Sequence, residues 1–155
     1  MAALSLSLAL RANAGLWIDV DLSRQAAFLV RDGKPIASSP ISSGKPGHST
    51  PRGTFTVVQK DLNHLSATYG IIVDQRGRVL VADANSGMSL PSGARFIRAP
   101  MPYFLGFTPR HGLHAGRLPG YPASHGCVRM PANMARLFFE NVPLGTTVRV
   151  HGEAR

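Results

Sequence analysis

Apolar positions in this chain come in short runs broken by turn residues, the rhythm of strands and not of long helices. Residues 16–20 (Leu-Trp-Ile-Asp-Val) and 26–30 (Ala-Ala-Phe-Leu-Val) are of strand length. Asp32-Gly33 supplies the left-handed turn of a tight hairpin into residues 35–37, and Pro35 puts that strand at a sheet edge or at a strand start. Residues 42–53 are a polar Gly/Pro loop, and 54–58 (Thr-Phe-Thr-Val-Val) alternate with period two. Residues 69–73 and 79–81 flank Gln75-Arg76-Gly77 as a second hairpin, 84–93 read as a loop, and 95–97 and 103–105 as two further strands. One helix stands out. Pro131 suits its first position, Met134, Leu137 and Phe138 share a face at i, i+3 and i+4, and Pro143 stops it. Residues 146–150 close the chain as a strand. The sum is a mainly β, single-domain fold of mixed sheets with one short helix.

Composition sharpens this picture. The 155 residues, 44% hydrophobic and 16% charged, are those of a globular chain with one core, and 16 Gly with 12 Pro imply many turns. The first fifteen residues are set apart from residues 16–155. They hold an apolar run and Ala12-Asn13-Ala14, which has the form of a cleavage site, but lack a basic start; they read as either an export-signal remnant or an ordinary leader. No run is long enough to cross a bilayer, so the chain is not read as an integral membrane protein. The net charge of +9 admits an anionic partner, yet no basic run with interleaved aromatics or nucleic-acid motif is present, so nucleic acid is disfavoured.

The charge is unevenly placed. From residue 84 to 139 there is no Asp or Glu, against six arginines: Arg95, Arg98, Arg110, Arg117, Arg129 and Arg136. That segment also contains the single cysteine, Cys127, with His111, His114 and His125. A lone Cys beside Gly and His has the makings of a thiol nucleophile and its base, and excess positive charge is expected to lower the thiol's pKa. Gly126 lets a substrate carbonyl approach closely, and the Cys127 N–H with a neighbouring amide offers an oxyanion hole. The plainer reading of Cys127 is a small buried hydrophobe. His111, His114, His125 and Cys127 are also ligand types that suit zinc, but their spacing matches no zinc pattern. His48, His64 and His151 read as surface residues.

Ser124-His125-Gly126-Cys127-Val128-Arg129 resembles the signature of the L,D-transpeptidase catalytic domain, a family of bacterial cell-wall enzymes. Gly112-Leu113-His114-Ala115-Gly116 is similar to its upstream histidine element, and Ser42-Ser43-Gly44-Lys45 with Thr50-Pro51-Arg52-Gly53-Thr54-Phe55 to another of its segments, so that the resemblance covers residues 16–151. It implies a β-sandwich of mixed sheets with the helix just after the active-site Cys. It makes Cys127 the nucleophile and His114 the base, preferred over His111 because Leu113 and Gly116 fit the motif. Ser124, His125, Gly126 and Arg129 become substrate-binding residues, and a backbone carbonyl, not a carboxylate, orients the base. The reaction implied releases D-Ala from a peptidoglycan tetrapeptide stem through a thioester. The acyl group then passes to an amine of another stem, giving a diaminopimelate cross-link, or of an envelope protein, with no cofactor, in the periplasm or cell envelope. Two alternatives stand: an L,D-carboxypeptidase that uses water, and a non-catalytic wall-binding module. Only nine residues separate His114 from Ser124, where many members carry a longer insert.

Overall fold

A computed structural model describes residues 15–155; the leader expectation for the first fifteen residues falls, but for Gly15, outside them. The described chain is ten strands and one helix: β1 (Leu16–Asp21), β2 (Ala26–Arg31), β3 (Lys34–Pro40), β4 (Gly53–Thr56), β5 (Gln59–Val73), β6 (Val79–Asn85), β7 (Arg95–Gly106), β8 (Gly112–Ala115), β9 (Val128–Met130), α1 (Ala132–Asn141) and β10 (Thr147–His151). They form two five-stranded sheets, ordered β3-β2-β1-β10-β4 and β6-β5-β7-β8-β9. The expected mainly β fold is observed.

In the first sheet, alternation fixes which residues face inward. Leu16, Ile18 and Val20 of β1 are buried, as are Val148 and Val150 of the parallel neighbour β10. The β2–β3 turn places Asp32 and Gly33 at φ 50° and 78°, the left-handed pair a two-residue hairpin requires. β3 is an edge strand, which is where Pro35 is tolerated.

The second sheet departs from the sequence expectation in three places. Residues 59–68 continue the strand that ends at Val73, and 95–106 is one strand where two were expected, so β5 and β7 form a long antiparallel ribbon. β6 runs on to Asn85, into the expected loop. The short strands β8 and β9 had no strand signal at all, although they carry the motif histidine and arginine.

The core lies between the sheets and under α1, where Leu105, Phe107, Leu113, Val128 and Met130 meet the β1 and β10 side chains. Pro131 caps α1 from just outside it, with φ −55° and ψ 144°, and does not occupy its first turn. The buried stripe of α1 is Ala135, Phe138 and, past its end, Val142, with Met134 partly covered. Leu137, expected on that face, is turned outward. No helix among the described residues is long and apolar enough to cross a membrane.

Candidate active site

Strand register brings the motif side chains together. β8 pairs in parallel with β9, setting Leu113 opposite Val128, His114 opposite Arg129 and Ala115 opposite Met130. Leu113, Ala115, Val128 and Met130 belong to the core, so by the alternation of strands His114 and Arg129 project from the other face. Cys127, two residues before Arg129, shares that face. There a cavity of about 930 Å³ opens, lined by Cys127, His111, His114, Ser124, His125 and Arg129.

The loop holding the thiol is strapped from residues 42–50. Ser42 exchanges backbone hydrogen bonds with Arg129, Lys45 N–H donates to the Ser124 carbonyl at 2.9 Å, and Ser124 N–H donates to that of Ser43 at 3.0 Å. The buried Thr50 hydroxyl donates to the Gly126 carbonyl at 2.8 Å and accepts the Gly44 N–H at 3.0 Å. Ser124 acts inside the loop: its hydroxyl donates to the Cys127 carbonyl and accepts the Gly126 N–H at 3.1 Å. Gly126 has φ 126°, and a Cβ there would lie 2.8 Å from the His111 ring. Only glycine fits.

The two upstream imidazoles differ in tautomer. His114 Nδ1 lies 2.8 Å from the Ala115 carbonyl, which can only accept, so Nδ1 carries the proton and Nε2 keeps its lone pair. His111 Nδ1 lies 2.8 Å from the Thr108 hydroxyl. That oxygen already accepts the backbone N–H groups of Arg110 and His111, so its own hydrogen points at Nδ1. The neutral His111 ring therefore carries its proton on Nε2 and is a donor. Of the two, His114 alone presents a basic nitrogen.

Burial governs the charge states. His114 is 5% exposed, and desolvation lowers its pKa to about 4, outweighing the Ala115 hydrogen bond. His111 is lowered by burial and then by Arg110. Desolvation also pushes the Cys127 thiol up from its usual value, against the lowering effects of the Gly112 N–H and of Arg129. The expected depression of the thiol pKa by surplus arginine is thus overturned: the positive field is present, but the loss of water around the sulfur outweighs it. The resting pair is neutral thiol and neutral imidazole.

Four of the six arginines, Arg98, Arg110, Arg117 and Arg129, line the cavity. Arg98 donates to the carbonyls of Leu65 and Ser66, whereas Arg136 pairs with Glu140 on α1. His125 is held by residues that no motif links to it. Tyr69 stacks on it with ring centroids 3.9 Å apart, His48 meets it edge-on at 5.0 Å, and Asp83 lies 3.1 Å from its Nε2. Asp83 also pairs with Lys45 at 3.4 Å. His64, expected at the surface, instead stacks on Phe104 at 4.0 Å and lines the cavity, with its Nδ1 3.1 Å from Asp61. His48 is exposed as expected, and His151 is partly buried beside Asp19 at 3.0 Å. Among the described residues no group of three or more His, Cys, Asp or Glu side chains is arranged to hold a metal ion.

Comparison with known proteins agrees with this geometry. Residues 15–150 match the family model of the L,D-transpeptidase catalytic domain. A probable L,D-transpeptidase of Escherichia coli, ErfK/SrfK, is 28% identical over 127 residues, which are 77% of this chain and 38% of that protein. The solution structure of the catalytic domain of the Enterococcus faecium L,D-transpeptidase is 27% identical, with a TM-score of 0.62 over 88% of this chain and 96% of that one. A Stackebrandtia nassauensis L,D-transpeptidase shares the fold, with a TM-score of 0.66 at 24% identity over 90% of this chain and 57% of that one. The chain thus spans little more than a third of its curated relative and just over half of the Stackebrandtia structure. With the family model matched across nearly all of its described length, the chain belongs to the L,D-transpeptidase catalytic domain family, a family of enzymes.

Proposed function

We propose that this chain is a cysteine L,D-transpeptidase acting on peptidoglycan tetrapeptide stems in the periplasm or cell envelope. The observation that carries the reading is that the single thiol, which donates to the Arg110 carbonyl at 3.7 Å, lines one cavity with an imidazole whose Nδ1 is held by the Ala115 carbonyl and whose Nε2 keeps its lone pair. Cys127 gives its proton to His114 and attacks the carbonyl on the L-centre of diaminopimelate. His114 then protonates the amine of the departing D-Ala, leaving a thioester on the sulfur. An acceptor amine, from a second stem or an envelope protein, attacks that thioester. Its proton passes through His114 back to the sulfur as the C–S bond breaks. No step calls for a cofactor.

The arginines suit the donor. A stem carries several carboxylates, and Arg110, Arg117 and Arg129 bring guanidinium groups to the cavity with no carboxylate in ion-pair contact among the described residues. Gly126 N–H is taken within the loop, so the reading assigns the oxyanion to the Cys127 N–H and the His111 Nε2–H.

The test is mass spectrometry of the intact protein after incubation with a disaccharide-tetrapeptide. A gain equal to the donor less D-Ala, absent from Cys127→Ala, is the expected result. No adduct in the presence of a bound, unprocessed stem would point to a wall-binding module, and an adduct that resolves only to hydrolysed stem, whatever amine is supplied, to a carboxypeptidase.

A further inference from the structure

The charged side chains lining the cavity are the four arginines and, among the described residues, a single carboxylate. Asp83 is the only Asp or Glu side chain among its lining residues, and it stands at the His125 end. One oxygen faces His125 Nε2 and the other faces Lys45 Nζ, and with its side chain 66% exposed the carboxylate keeps room for a further partner. No structural need of the sheet explains a carboxylate here. β6 is an edge strand, and its buried anchor near this position is Ala84, not Asp83.

Building on the transpeptidase reading, we propose that Asp83 is the specificity residue for the acyl acceptor, binding the acceptor's ammonium group, with Lys45 beside it receiving a carboxylate on the same head group. Donor and acceptor stems both carry a diaminopimelate ammonium beside their carboxylates, but only the acceptor's nitrogen has to reach the thioester, so the one carboxylate lining the cavity is assigned to the acceptor. His125, which touches Asp83, lines the same cavity as Cys127. The acceptor enters as an ammonium ion and gives one proton to water. As the neutral amine attacks, the C–N bond forms and its second proton moves to His114. The C–S bond then breaks, and that proton returns to the sulfur. Atoms and charge balance without a further reactant.

The experiment separates the two half-reactions. Thioester formation and D-Ala release are followed in a single turnover with an unmodified tetrapeptide stem, whose ammonium is intact; the acceptor KM is measured with a donor whose diaminopimelate amine is acetylated, so that it cannot accept, and with a tripeptide stem, which has no D-Ala to release, as acceptor. With Asp83→Asn, the rate of D-Ala release without acceptor is expected to stay within about two-fold of the parent. The acceptor KM is expected to rise roughly ten-fold or more, with hydrolysis gaining at the expense of cross-linked product. Asp83→Glu is expected to recover most of the acceptor affinity. If Asp83→Asn slows thioester formation and leaves the acceptor KM unchanged, Asp83 merely positions His125 and the proposal is overturned. It is overturned equally if both parameters match the parent. Absence of any thioester in the parent protein would instead remove the transpeptidase reading on which this one rests.

Discussion

The resting charge state of the Cys127–His114 pair can be read from stability as a function of pH. A His whose pKa falls from 6.5 in the unfolded chain to about 4 in the fold opposes folding in acid, because the unfolded state binds the proton first. Its contribution is fully present above pH 6.5 and is lost as pH falls toward 4. Between pH 7.5 and pH 5 that one group removes about 2 kcal/mol of stability. His111 and His125 titrate in the same direction, also through burial, so the wild-type curve alone does not isolate His114. The difference between the parent and His114→Gln does. Urea unfolding followed by fluorescence of Trp17, the only tryptophan, at pH 7.5 and pH 5 gives the two stabilities of each protein. The parent is expected to lose about 2 kcal/mol more than the variant, roughly 1 M in midpoint for a domain of this size. A difference that does not change with pH would refute the buried neutral imidazole. A difference of opposite sign would mean that the fold holds an imidazolium–thiolate pair, with the His114 pKa raised and not lowered.

Two further outcomes test the loop that carries the thiol. Gly126→Ala introduces a Cβ against the His111 ring at a backbone angle that L side chains rarely adopt; thioester formation measured by intact mass is expected to slow at least 100-fold, with the far-ultraviolet circular dichroism unchanged. Thr50→Val leaves the Gly126 carbonyl and the Gly44 N–H without their partner and is expected to cost about 3 kcal/mol by urea unfolding, whereas Thr50→Ser, which keeps the hydroxyl, is expected to cost less than half as much.

The site was more legible than the strands that build it. Cys127, His114, His125 and Arg129 announce themselves because their chemistry is uncommon and their spacing compact. β8 and β9 leave no periodic trace, being four and three residues long, with His114 and Arg129 sitting among core residues. The expected lengths of β5 and β7 fell short for a related reason. Around Asp61, Asn63 and His64 the ribbon has no apolar face on the core, so alternation stops while the hydrogen-bonded ladder to β7 continues. Met134 and Phe138 placed the helix correctly, but Ala135 and Val142 decide which side is buried, and small residues weigh little in an apolar pattern. Asp83 and Tyr69 reach His125 only through the pairing of β5 with β6, and nothing in the local sequence links residue 83 to residue 125. The arginine surplus was read correctly as a field around the site. Its effect on the thiol was misjudged, because sequence shows charge and conceals burial.

A thiol that stays protonated at rest has a bearing on how long the protein lasts. Peroxides and disulfides react with thiolate, and sulfinic and sulfonic acids are dead ends for a nucleophile. With burial raising its pKa, the desolvated sulfur of Cys127 presents less of that reactive form to passing oxidants. Under the nucleophile role proposed for Cys127, a protonated resting thiol limits loss of the sulfur to oxidation, and the sequence carries no second cysteine to resolve a sulfenic acid.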